Sequence, residues 1–123
     1  MPSVLVIDDE MGILGFLREA LTHFGHRVET ASDGQEGIQK FDDGSFDVVI
    51  TDYCMPGVDG KGVLQHIRNS RKNNIPIVGI SGTPWQITDA DFDLVLPKPF
   101  RLPELIAAIR NLTAVSERAF VSA

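Results

Sequence analysis

Length, composition and charge leave few protein classes open to this chain. It has 123 residues, 43% of them hydrophobic, which suits one domain with one core. The formal net charge of −6 argues against direct nucleic-acid binding, because such proteins normally carry a basic patch. A single cysteine excludes an internal disulfide and is typical of a reducing compartment. The first apolar run is too short for a signal peptide or a membrane span, so we expect a cytoplasmic location.

Five short apolar runs alternate with longer segments in which apolar residues recur at helical spacing. The predicted strands cover about 3–7, 27–31, 46–51, 76–80 and 94–96, and the predicted helices about 11–24, 34–42, 60–69 and 103–112. Nearly continuous β-branched strands separated by helices indicate a parallel sheet with helices on both faces. We therefore predict an α/β, flavodoxin-like fold with five parallel strands in the order 2-1-3-4-5. The fifth strand would lie at an edge, where Pro97 is tolerated.

Polar side chains follow four of the predicted strands. Asp8 and Asp9 follow the first strand, Asp52 the third and Ser81 the fourth, and Lys98 comes shortly after the fifth. Ligands of parallel sheets bind beyond the carboxyl ends of the strands, so we expect these side chains to converge there. Three neighbouring carboxylates repel one another unless a cation compensates them, and oxygen ligands suit Mg²⁺ better than zinc or copper. The sequence therefore predicts a divalent-metal site.

One of these carboxylates is also a candidate nucleophile. An aspartate needs no general base at neutral pH and can accept a phosphoryl group as an aspartyl phosphate, and Asp52 is the candidate acceptor. Such transfer depends on positive charge and donors placed around the phosphoryl oxygens. A metal ion, the Lys98 ammonium and the Ser81 hydroxyl would supply them.

The same residues, in this order, resemble the receiver domains of two-component response regulators. The resemblance extends from residue 4 to residue 100 and implies that Asp52 receives a phosphoryl group from a sensor histidine kinase or a histidine phosphotransfer protein. Phosphorylation would then switch the conformation. The matching motifs are Val6-Ile7-Asp8-Asp9-Glu10, Asp52 followed by Met55-Pro56-Gly57 and Asp59-Gly60, Ser81-Gly82, and Lys98-Pro99-Phe100.

The resemblance also implies a role for each site residue. Asp9 would bind Mg²⁺ directly, Asp8 would bind it through water, and the backbone carbonyl of Cys54 would be a further ligand beside Asp52. Ser81 would be the switch hydroxyl. Lys98 would contact the phosphoryl group, and the peptide bond between it and the following proline would be cis.

The chain departs from the family pattern between the fourth and fifth strands. From Ser81 to Lys98 the numbering advances by 98 − 81 = 17, which is about one and a half helical turns less than typical receivers use. Pro84 and the polar stretch 88–91 also disfavour a regular helix. We expect a short or irregular fourth helix. Val95 stands where the family carries an aromatic side chain that moves with the switch hydroxyl.

The expected organisation is a receiver domain at 1–115 followed by a C-terminal tail or linker remnant at 116–123. Such a receiver catalyses only its own phosphorylation and dephosphorylation, and its further partner would be a downstream protein or an output domain. Whether the domain forms a dimer on activation is left open by the sequence. One alternative is a phosphorylation-independent pseudo-receiver that acts as a protein-binding module, against which the intact Asp52, Ser81 and Lys98 argue. A less favoured one is an FMN-binding flavodoxin-like protein, because the acidic residues 8–10 would repel a phosphate.

Overall fold

Five parallel strands form the centre of the molecule. The computed structural model describes residues 2–88 and 91–122, with side chains as far as residue 114. The strands lie in the order β2-β1-β3-β4-β5, so the predicted flavodoxin-like sheet is confirmed, with β5 and its Pro97 at an edge. Every pair is parallel. The strands are β1 (Ser3–Ile7), β2 (Arg27–Ala31), β3 (Val48–Asp52), β4 (Ile77–Ser81) and β5 (Leu94–Pro97).

Helices cover both faces of this sheet. Alternate residues of a strand point to opposite faces, so Val4 and Val6 join the core under α1 and α4 while Leu5 and Ile7 join the core under α2 and α3. The two-sided burial explains why the central strands are apolar at nearly every position. The helices are α1 (Met11–His23), α2 (Gly34–Asp43), α3 (Gly60–Arg68) and α4 (Leu102–Ser122).

The connection from β4 to β5 lacks a regular α-helix among its described residues. It contains a 3-10 turn at Pro84–Gln86, which confirms the expected short, irregular fourth helix. Phe92 covers the sheet instead and is only 8% exposed. Its ring lies on Gly79, where an added Cβ would come within 3.1 Å of the ring. The ring of Phe92 thus covers the face of β4 at Gly79.

The last helix is longer than the sequence pattern predicted. The expected end at about residue 112 is wrong, because α4 continues to Ser122. No glycine or proline interrupts 104–122, and Ala, Glu and Arg in this stretch favour a helix. No helix in the described part of the chain is long and apolar enough to cross a membrane. The boundary between a receiver at 1–115 and a tail at 116–123 stays a prediction.

Gly34, at the start of α2, allows the chain to pack closely against the loop after β3. A Cβ at this position would overlap the Val58 carbonyl group, whose carbon would lie only 2.8 Å away. We expect Gly34→Ala to lower the free energy of unfolding by about 1–3 kcal/mol, because overpacking forces the backbone apart.

The matched control is Gly15→Ala in α1, where an added Cβ meets nothing within 4 Å. This change should raise the free energy of unfolding by about 0.5–1 kcal/mol through helix propensity alone. Urea denaturation of both variants measures the two effects. Equal shifts of the same sign would contradict the close packing at Gly34.

Candidate functional site

Three carboxylates meet at the carboxyl edge of the sheet, as the sequence predicted. One ligand oxygen from each of Asp8, Asp9 and Asp52 lies within 4.8 Å of the others. Asp8 and Asp52 are 2% and 5% exposed, whereas Asp9 is exposed. β1 and β3 are neighbours in the sheet, and this pairing brings together residues that are more than forty positions apart in the chain. The cluster is therefore fixed by the sheet order.

Lys98 reaches into the same cluster. Its Nζ lies 3.3 Å from Asp52 Oδ1, 3.8 Å from Asp8 Oδ2 and 3.6 Å from Glu10 Oε1. Its backbone N–H donates to the Ser81 carbonyl at 2.8 Å, which continues the pairing of β5 with β4. The Lys98–Pro99 peptide is cis, as expected. The position of Lys98 is thus fixed by the hydrogen bond of its backbone and by the ion pairs of its ammonium group.

Ser81 is buried at the end of β4, on the same edge of the sheet, and its hydroxyl contacts Thr83. Ser81 Oγ accepts a hydrogen bond from the Thr83 backbone N–H at 3.0 Å and lies 3.4 Å from Thr83 Oγ1. Sequence reasoning missed Thr83 as a partner of Ser81. The detectable signal was the spacing, because a serine often bonds the backbone N–H two positions on.

The loop after Asp52 closes tightly over the end of β3. Tyr53 N–H donates to the Ile80 carbonyl at 2.9 Å, and the Tyr53 carbonyl accepts from Gly60 N–H at 2.9 Å. A Cβ on Gly60 would come within 2.6 Å of the Asp52 carbonyl oxygen, so this glycine is required for the closure. The side chain of Cys54 in this loop is exposed, and the role of its carbonyl as a metal ligand stays a prediction.

Burial and charge perturb the acidic groups. Burial raises the pKa of Asp8 from 3.8 to about 6, and the negative charge of Asp52 adds to this shift. The Glu10 backbone N–H, which donates to Asp8 Oδ1 at 2.9 Å, and the charge of Lys98 oppose it. Burial also raises the pKa of Asp52, against the opposing effect of Lys98. In the absence of a further cation, both carboxylates are therefore costly to ionise.

The pKa of Lys98 moves in the direction that keeps it charged. Burial alone would lower this pKa, but the neighbouring charges of Asp8 and Asp52 outweigh burial and raise it. Glu10 adds a further negative charge at the rim, where sequence reasoning had assigned it no specific contact. One ammonium group thus faces three carboxylates, and Asp9 adds a further negative charge to the cluster. The excess negative charge and the all-oxygen donor set fit a hard divalent cation such as Mg²⁺, held by Asp8, Asp9 and Asp52.

An open cleft lies beside this cluster, and the two share Lys98 and Glu10 at their border. Its volume is about 410 Å³, and it runs between the start of α1 and the segment that follows β5. Lys98 forms part of its wall, so a molecule in the cleft can contact this side chain. The lining residues are Glu10, Ile13, Lys98, Pro99 and Phe100.

Comparison with known proteins gives matches over most of the chain. Transcriptional regulatory protein TcrA of Mycobacterium tuberculosis is 34% identical over 116 residues, which cover 89% of this chain and 45% of TcrA. The chain therefore spans less than half the length of that relative. The structure of response regulator TrrA from Thermotoga maritima in complex with Mg²⁺-BeF is 32% identical, with a TM-score of 0.83 and coverage of 91% of this chain and 99% of TrrA.

A second structure contains TrrA in complex with histidine kinase ThkA, and its matching chain is 33% identical, with a TM-score of 0.80 and coverage of 91% of this chain and 98% of that chain. The family model for the response regulator receiver domain matches residues 4–110, which include all the residues of the acidic cluster together with Ser81 and Lys98. The chain belongs to the response regulator receiver domain family of two-component signal transduction.

Proposed function

We propose that Asp52 is the phosphoacceptor of this receiver. The observation that carries the proposal is the position of its carboxylate, which is nearly buried, shares a cluster with two further carboxylates and lies 3.3 Å from an ammonium group. A carboxylate is nucleophilic as it stands, and the groups around it are suited to balance the charge of an incoming phosphoryl group. Asp8 is also nearly buried, but its carboxylate lies farther from the Lys98 ammonium, at 3.8 Å, and already accepts a hydrogen bond from Glu10 N–H.

Transfer would come from a phosphohistidine of a kinase or phosphotransfer protein. A carboxylate oxygen of Asp52 forms the new bond to phosphorus, the phosphorus–nitrogen bond breaks, and the histidine nitrogen leaves with its electron pair. Lys98 exchanges part of its contact with Asp52 for a phosphoryl oxygen. The Ser81 hydroxyl donates to another. Water later attacks phosphorus and regenerates the Asp52 carboxylate, so the domain acts on its own modification and on no separate metabolite.

Mg²⁺ is the proposed cofactor. Asp9 would bind it directly, Asp8 through water, and Asp52 and the Cys54 carbonyl would complete the protein ligands. When bound, Mg²⁺ supplies the positive charge that reduces repulsion between the carboxylates and the phosphoryl group. The unfavourable ionisation of Asp8 in the metal-free site supports this assignment, because a dication removes its main cost.

The proposed partners follow from the cleft and from the relatives. TrrA is known in complex with a histidine kinase, and we propose that a kinase or phosphotransfer protein also docks here. Met11 and Phe16 of α1, near the cleft, are exposed apolar side chains that such a partner can cover. We propose a cytoplasmic domain that passes its signal to a downstream protein or an output domain. Its acidic charge argues against direct contact with nucleic acid.

Mg²⁺ should stabilise the folded domain, because the unfolded chain does not assemble the carboxylate cluster. Millimolar Mg²⁺ is expected to raise the free energy of unfolding by about 1–2 kcal/mol, seen as a rise of several degrees in melting temperature. Asp9→Asn should reduce this gain. Asp43→Asn, at an exposed carboxylate in α2, should keep it. A melting temperature that Mg²⁺ leaves unchanged in the wild type would contradict the metal site.

Asp8→Asn should stabilise the domain when EDTA removes all metal. The pKa of Asp8 is about 6 in the folded protein, against an ordinary value of 3.8 for the unfolded chain. As pH rises between these values, the unfolded chain ionises more readily than the folded protein, so the folded protein loses stability. The cost reaches about 1–3 kcal/mol near pH 7.5, and asparagine avoids it while keeping the acceptor for Glu10 N–H.

Denaturation of both proteins at about pH 7.5 and pH 4.5 checks this expectation, because the advantage of the Asn variant should shrink at the lower pH. Asp43→Asn is the control for a general effect of removing one negative charge. A wild type that is as stable as Asp8→Asn near neutral pH without metal would show that the buried carboxylate carries no such cost.

Acetyl phosphate with Mg²⁺ should add one phosphoryl group to the wild type and none to Asp52→Asn, because an amide cannot form the acyl phosphate. Intact-mass spectrometry measures the labelled fraction, and Asp43→Asn should be labelled like the wild type. Equal labelling of Asp52→Asn and the wild type would disprove the assignment.

A further inference from the structure

Glu10 lies at the border between the acidic cluster and the cleft, and the helix that it precedes does not use its side chain. It is the N-cap residue of α1, where its backbone is extended (φ −90°, ψ 108°) and its side chain makes no capping hydrogen bond. The Glu10 carbonyl accepts from the N–H groups of Ile13 and Leu14, both at 3.1 Å, so the backbone alone begins the helix. N-cap side chains commonly bond the free N–H groups of the first turn, and this one does not.

The Glu10 carboxylate faces Lys98. Glu10 Oε1 lies 3.6 Å from Lys98 Nζ, the ammonium group that also lies 3.3 Å from Asp52 Oδ1 and 3.8 Å from Asp8 Oδ2. These two aspartates are nearly buried, whereas the Glu10 side chain is 61% exposed and lines the cleft. Glu10 therefore places a negative charge on the solvent side of Lys98, where a molecule in the cleft can contact both groups.

This additional carboxylate changes the net charge that a phosphodonor meets. Asp8, Asp9 and Asp52 carry three negative charges when they are ionised, and Lys98 together with the proposed Mg²⁺ carries three positive charges. The occupied site would be close to neutral without Glu10, and with Glu10 it keeps one negative charge. Because the Glu10 carboxylate is exposed, its charge acts on a molecule in the cleft and is screened by salt.

We propose that Glu10 is a specificity-determining residue, which disfavours doubly charged acyl phosphates and favours donors whose phosphoryl group is linked to a protonated nitrogen. The inference rests on the proposed function of Asp52. Acetyl phosphate carries two negative charges near neutral pH, and the Glu10 carboxylate repels it. Phosphoramidate, like a protonated phosphohistidine, has a positive nitrogen that offsets one of these charges. That nitrogen can also donate a hydrogen bond to the Glu10 carboxylate.

Acetyl phosphate and phosphoramidate give the same product at Asp52, so a comparison of the two isolates the effect of donor charge. A carboxylate oxygen of Asp52 forms the new bond to phosphorus in both reactions. With acetyl phosphate the phosphorus–oxygen bond breaks, and acetate leaves with the electron pair. With phosphoramidate the phosphorus–nitrogen bond breaks, and ammonia leaves with the electron pair. A change that only disturbs the position of Asp52 would therefore alter both rates by a similar factor.

Phosphorylation rates of the full chain with each donor, followed by intact-mass spectrometry at saturating Mg²⁺ and low salt, test the inference. Glu10→Gln keeps the length of the side chain and removes its charge. The ratio of the acetyl phosphate rate to the phosphoramidate rate should rise by about fivefold, because removal of the carboxylate relieves the repulsion of the doubly charged donor. In about 1 M salt this increase should fall below about twofold, because salt screens exposed charges.

Two further variants separate the charge of Glu10 from other effects of substitution. Glu10→Asp keeps the charge and should keep a rate ratio close to that of the wild type. Glu19→Gln removes a charge from an exposed position further along α1 and should also leave the ratio unchanged. A Mg²⁺ titration of each variant sets a saturating concentration, so that weaker metal binding does not enter the comparison.

The outcomes distinguish the inference from the proposed function on which it rests. An equal factor with both donors for Glu10→Gln, or a change of ratio that salt does not reduce, would overturn the role of Glu10 in donor choice. Labelling of the wild type with a ratio that Glu10→Gln leaves unchanged overturns the inference alone. A wild type that accepts a phosphoryl group from neither donor would overturn the proposed function of Asp52 as well.

Discussion

The cost of burying neighbouring carboxylates is the constraint on which this molecule depends. Asp8 and Asp52 are nearly excluded from water, and within the described residues a single cation, Lys98, lies within 4 Å of either. Lys98 compensates only part of the charge, because the pKa of both carboxyl groups stays raised. The folded protein therefore holds a site that is unfavourable by itself and becomes favourable when positive charge enters.

Backbone hydrogen bonds continue past the ends of the strands and hold the residues of the site in place. Asp8 N–H donates to the carbonyl of Ala31 at 3.1 Å, Tyr53 N–H to that of Ile80, and Lys98 N–H to that of Ser81. In each case the bond lies at or next to a residue of the site. The backbone of the charged residues is thus fixed by the same hydrogen-bond ladder that orders the strands. The charges of the site therefore change the pKa values of its side chains rather than the position of its backbone.

The sequence was most informative where one physical cause decides the structure. Two-sided burial makes the central strands continuously apolar, and the parallel arrangement then brings Asp8, Asp52 and Lys98 to one edge. The short, irregular fourth helix was predictable for a similar reason, because the number of residues between Ser81 and Lys98 limits what can form there. The ion pair of Arg68 with an aspartate 25 positions further along the chain was not predictable, because it follows no local pattern. The longer α4 was open to prediction, because helix propensity continues beyond residue 112 and no stop signal is present there.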